Sequence, residues 1–209
     1  MSTLADVASL ATAGGTLILA VATFSAVRSG NRTARAAERS LLAGIRPVLA
    51  PSKPDDAELK INWADEHWSR VRGGQAGVEL EGDVIYLAMP VRNVGAGMAV
   101  LHGWCVHPDW DAQRPHAEPD GFRRQARDIY VPAGDVAMWQ GALRDRGEEL
   151  WDQVAEAIRD RRRFTIDLLY GDHEGGQRTI TRFGITPVGE DAWLTTVARY
   201  WNLDRPDPR

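Results

Sequence analysis

Between His102 and His116 the chain reads HGWCVHPDWDAQRPH, its densest gathering of side chains able to bind a metal or move a proton. His107, Asp109, Asp111 and His116 fall in what reads as one loop, where two imidazoles and two carboxylates could converge on a divalent cation. His102 and Cys105 precede them on a predicted strand, and their spacing of three puts them on opposite faces. That separation breaks a local Cys/His site. Neither HExxH nor a paired CxxC accompanies the cluster, so the expectation is a solvated loop, with His107, Asp109, Asp111 and His116 the only metal candidates. Asp172, His173 and Glu174 form a second polar group, but inside a Gly-rich turn where such residues serve the backbone. No GxSxG is present, and Ser52 and Ser69 sit in loop-like sequence. No catalytic residue and no cofactor is assigned.

The formal net charge is −4, which does not favour nucleic acid. Arg123, Arg124 and Arg127, with Arg161 to Arg163, form local basic patches near Phe122 and Tyr130, yet no RNA-binding signature accompanies them. Cys105 is the only cysteine, so no internal disulfide forms. Of the eight tryptophans, Trp104, Trp151 and Trp193 lie on apolar faces and are assigned to the core. Trp63, Trp68 and Trp110 lie in polar loops, where an exposed indole could serve a partner surface or the headgroup region, but the core reading is preferred for the set.

What would position these groups is set at the start of the chain. Residues 7–27 carry no charge, and Arg28, Arg32, Arg35 and Arg39 follow at once. At about 1.5 Å per residue such a run just crosses a hydrocarbon core of about 30 Å. Only Met1 to Asp6 precede it and Asp6 is acidic, which does not suit the basic start of a cleaved signal peptide. The arginines on the C-terminal flank predict a single-pass plasma-membrane protein with the N-terminus outside and the following domain cytoplasmic. Spaced by four, three and four, they fall on one helical face below the bilayer. Ala11 with Gly15, and Ala22 with Ala26, are small-xxx-small pairs through which two copies could associate.

The remaining chain is long enough for one domain with its own core. The expected organisation is a transmembrane segment in 1–27, a basic juxtamembrane helix over 28–46 with Gly30 a possible break, and a β-sandwich over 47–189. Helices are expected near 119–126 and 148–161, and an aromatic helix with a polar tail over 190–209. In VIYLAMPV, Ile85, Leu87, Met89 and Val91 share one face and Tyr86, Ala88 and Pro90 the other. Pro90 lacks a donor, which predicts an edge strand or a bulge. NVGAG reads as a turn that uses glycine's freedom at positive φ. Phe164, Ile166, Leu168 and Tyr170 begin a second hairpin through YGDHEGGQ. Leu150, Trp151, Val154 and Ile158 make a helical apolar stripe, and Trp193, Val197, Tyr200 and Trp201 are also at helical spacing.

The order of anchor, basic helix, Arg46-Pro47, strand-NVGAG-strand and strand-YGDHEGGQ-strand resembles uncharacterised bacterial single-pass membrane-anchored proteins. The resemblance implies a mainly β fold with inserted helices, an immunoglobulin-like antiparallel sandwich after an N-terminal transmembrane helix. It carries over no catalytic residue. The expected function is a membrane-tethered, non-catalytic interaction or structural module, with the lipid bilayer and a protein as partners and no nucleic acid. The alternative is a membrane-anchored hydrolase or metal-dependent enzyme using the 107–116 loop.

Overall fold

The structure, a computed structural model, describes residues 2–111 and 113–206, with side chains from residue 14 onward. It divides into a helical unit, Met1–Ala43, and a second unit, Gly44–Arg209. Helix α1 runs unbroken over Ser2–Gly44. Gly30 does not interrupt it: one interior glycine costs about 1 kcal/mol, which the Ala- and Arg-rich turns beside it offset. Leu17, Ile18, Leu19, Val21, Phe24 and Val27 are each more than half exposed. Among the described residues no helix is long and apolar enough to cross a membrane. The side chains of residues 7–13, the first third of the expected span, lie outside the described residues, as does Ala11 of the Ala11/Gly15 pair.

The second unit is built from antiparallel β-strands. They are β1 (Leu49–Pro51), β2 (Leu59–Asn62), β3 (Trp68–Val71), β4 (Gly77–Glu81), β5 (Val84–Asn93), β6 (Ala99–His107), β7 (Arg123–Arg124), β8 (Tyr130–Val131), β9 (Val136–Leu143), β10 (Phe164–Asp172), β11 (Arg178–Val188) and β12 (Ala192–Asn202), with helix α2 (Glu149–Arg159) between β9 and β10. In the first sheet β9 pairs along β5 from Ile85 to Arg92, so β4 and β1 share the other edge of β5 end to end. The second sheet runs β12-β11-β10-β6, with β7 and β8 both on the far edge of β6. The hairpin β2–β3 packs Ile61, Trp63 and Val71 against Tyr86 and Ala88, the outer face of the first sheet.

Period-two alternation decides which side chains enter the core. Ile85, Leu87, Met89 and Val91 meet Leu101, Leu168, Tyr170, Phe183 and Ile185 between the sheets. Trp151, Val154 and Ala155 of α2 join the same cluster, and Trp151 Nε1 donates to the Asp83 carbonyl at 3.0 Å.

Four expectations need correction. β5 is central, so Pro90 marks neither a sheet edge nor a bulge. It falls between the ends of β4 and β1, where no ladder donor is required, and its carbonyl accepts from Ser52 N at 3.1 Å. Residues 119–126 are no helix: a single 3-10 turn, Pro119–Gly121, leads into β7. The closing helix is strand β12. Its pairing with β11 slips between Arg182 and Phe183, which adds one residue opposite and exchanges the faces of β12. Trp193 and Val197 pack in the core before the slip, and the Tyr200 hydroxyl reaches Leu49 across the sandwich after it. A bulged strand therefore reproduces a four-then-three spacing. The core reading of the loop tryptophans, finally, holds for Trp63 but not for Trp68 and Trp110, which are exposed.

Candidate functional site

The 107–116 segment is anchored by charge buried in the second sheet. The β10–β11 register sets Asp167 beside Arg182, and the β10–β6 register sets Asp167 beside Cys105 and Thr165 beside His107. Arg182 donates from Nε to Asp167 Oδ1 and from Nη2 to Oδ2, both at 2.7 Å, with both side chains fully buried. His107 Nε2 lies 3.2 Å from the same Oδ2. The rest of the guanidinium serves the loop: Nη1 donates to the carbonyls of Asp111 (3.0 Å) and Arg114 (2.7 Å), and Nη2 reaches that of Pro115 at 3.4 Å. Its flat face lies 4.8 Å from the Trp201 ring.

A bidentate guanidinium–carboxylate pair satisfies most of the polar valences that burial strips of water. Burial by itself would raise the Asp167 carboxyl, but Arg182 and His107 hold it below the usual range. Burial would likewise lower His107. Hydrogen bonds to Asp167 and to the neighbouring Cys105 thiol override it and bring the imidazole to about 9. His107 is therefore an imidazolium at neutral pH, donating to a carboxylate that Arg182 already neutralises. The arrangement holds a proton in place and clamps a loop.

The four metal candidates are not brought together. His107 turns into the buried pair. Asp109 pairs with Arg114 at 2.7 Å, and Asp111 Oδ1 accepts from the backbone N–H groups of Gln113 and Arg114. His116 Nδ1 meets the Ala117 carbonyl at 2.8 Å while its ring stands edge-on to Trp201. Among the described residues no group of three or more His, Cys, Asp or Glu side chains could hold a metal ion. Asp172 Oδ1 accepts from Gly176 N at 3.2 Å and closes the β10–β11 turn.

The residues that organise this region, Asp167 and Arg182, did not emerge from motif reading. A signal existed. Each is a lone charge within an apolar strand of the hairpin through YGDHEGGQ, but only the observed register, with Gly171 opposite Arg178, sets the two face to face.

On α1, Arg28, Arg32, Arg35 and Arg39 are all exposed, and Arg28, Arg32 and Arg35 line a shallow concavity with Phe24, Val27 and Asn31. Apolar and cationic side chains thus adjoin on one helix. No protein-family model, curated protein or solved structure matches this chain.

Proposed function

We propose that the chain is a membrane-tethered interaction module of the bacterial single-pass type, whose sandwich domain holds a protein partner at the cytoplasmic face. The observation that carries this reading is the exposure of six large apolar side chains between Leu17 and Val27, on a helix that brings no charge to that stretch. In water such a surface is unfavourable by about 25 cal/mol per Å² of apolar area, and lipid removes that cost. The four arginines at the C-terminal flank support the orientation with the N-terminus outside. Gly15, Ala22 and Ala26 are exposed on α1 and offer small-residue contacts to a second copy. Two packed antiparallel sheets are what an immunoglobulin-like domain would present. The metal-enzyme alternative has no convergent side chains to rest on among the described residues.

Membranes prepared from cells expressing the full chain and washed in alkaline carbonate test the tether. The protein should stay in the pellet until detergent is added, and a tag after Arg209 should be cleaved only in inverted vesicles. Release by carbonate, or cleavage of the tag in intact cells, would reject the reading.

A further inference from the structure

The outer face of β9 forms the floor of a trough. One wall is the β2 strand with Trp63 and Ala64; the other is the segment 124–130. The trough comprises two open clefts of about 260 and 440 Å³ that share Arg127 and Gln140 and together follow β9 from Val136 to Ala142. At about 3.3 Å per residue this length accommodates a similar number of residues of extended chain.

The β9 backbone presents free groups there. The Pro90 carbonyl points to the β1 side of β5, so the Pro90–Met138 pair exchanges no hydrogen bond, and Met138 directs its own N–H and C=O away from β5. By the same alternation Gln140 and Ala142 do so too. The Gln140 carbonyl accordingly receives Gln125 Nε2 from the far wall, at a long 3.4 Å. A strand edge with spare backbone groups is a template for an added extended segment.

Charge selects the partner. Although the whole chain is acidic, the trough carries Lys60, Arg124, Arg127 and Arg144 against one acid, Asp128. Arg144 is paired with Asp65, and Asp128 accepts from Gln140 Nε2 at 2.7 Å. Arg127 spans the trough to the Asn62 carbonyl at 3.3 Å, and the Arg124 side chain has no ion-pair partner among the described residues. Tyr130, 59% exposed, adds an aromatic surface at one end.

We propose that this trough binds an acidic polypeptide segment in extended conformation, with Arg124 and Arg127 taking its carboxylates and residues 138–142 offering backbone hydrogen bonds. The inference deepens the interaction-module reading by giving the partner's chemistry. It does not bear on the tether, which membrane sedimentation reads separately.

The test uses the full chain in mild detergent and a fluorescein-labelled ten-residue peptide alternating Glu and Val, followed by fluorescence anisotropy. Controls are the same peptide with Lys for Glu and a ten-nucleotide oligothymidine. The acidic peptide should bind at least tenfold more tightly than either control and weaken in high salt. The Arg124→Glu/Arg127→Glu variant, altered only at exposed positions, should lose at least tenfold in affinity and gain binding of the Lys peptide. Amide exchange at Met138, Gln140 and Ala142 should slow when the acidic peptide is bound. No binding, equal binding of the two peptides, tighter binding of oligothymidine, an unaffected double variant, or unchanged exchange at those amides would each overturn the proposal.

Discussion

Arg182 and Asp167 face each other across the β10–β11 ladder as a doubly hydrogen-bonded ion pair with no exposure to solvent. Three loop carbonyls and one indole face complete the surroundings of the guanidinium. Removing Asp167 strands the Arg182 charge in the interior, and removing Arg182 leaves the buried Asp167 carboxylate to His107 alone; breaking such a pair is worth about 3–5 kcal/mol. Arg182→Met should therefore destabilise the domain by that amount and release the 109–116 loop. Arg182→Met/Asp167→Leu should recover most of the loss. Urea unfolding followed by tryptophan fluorescence reads both, and a double variant as unstable as the single one would contradict the account.

His107 gives the cluster a pH dependence. Its folded value of about 9 lies above its ordinary 6.5. The stabilisation is thus complete below about pH 6.5 and disappears as the pH rises through about 9, amounting to roughly 3 kcal/mol at most. Asp167 has the opposite sign: its held-down carboxyl contributes above the ordinary carboxylate range, and that contribution fades as the pH falls through its folded value. Thermal unfolding between pH 5 and 10 should show an alkaline decline in the parent that is flattened in His107→Ala.

Leu49 is held by two tyrosines of the opposite sheet. Its N–H donates to the Tyr170 hydroxyl at 3.1 Å, and its carbonyl accepts from the Tyr200 hydroxyl at 2.8 Å. Tyr170 is fully buried, and burial pushes its hydroxyl above the ordinary value. Tyr170→Phe leaves a buried backbone donor unsatisfied and should cost about 1–3 kcal/mol. Tyr200→Phe, at a partly exposed site, should cost less. Hydrogen exchange at the Leu49 amide should accelerate in the first variant more than in the second.

Gly97 is required by close approach. A Cβ there would stand 1.8 Å from the Ile45 carbonyl oxygen, and one at Gly95 2.4 Å from that of Arg46. Neither glycine has positive φ, so the NVGAG turn uses glycine for space rather than for left-handed backbone. Gly97→Ala must displace the 45–48 segment and should destabilise by about 1–3 kcal/mol. Gly82→Ala meets no atom and carries only the strain of its φ of 56°. An unfolding midpoint in Gly97→Ala equal to the parent's would refute the spatial argument.

A charge placed in the apolar half of α1 tests what surrounds it. Ile18→Lys at mid-helix should cost about 2.5–3.5 kcal/mol of insertion free energy and move protein from the carbonate-washed pellet to the supernatant. Arg46→Lys, at a side chain that meets Thr179, Asn202 and Asp204 in the second unit, should leave the distribution unchanged. Equal pelleting of Ile18→Lys and the parent would count against lipid contact.

Features that depend on neighbours along the chain are legible in the residues alone. Alternation in VIYLAMPV assigned Ile85, Leu87, Met89 and Val91 to one face, and an antiparallel, mainly β architecture followed from strands punctuated by Gly-rich turns. Features that depend on a partner distant in sequence emerge only when the strands are paired. Pro90 sits centrally because β1 and β4 leave a gap opposite Met89 and Pro90. β12 imitates a helical period because its slip against β11 transfers the later residues to the other face. His107, Asp109, Asp111 and His116 are close in sequence, yet Asp167 and Arg182, from two other strands, draw one of them inward and fix the loop that carries the rest. Periodicity reports the face a side chain occupies, whereas the group it meets there depends on strand register.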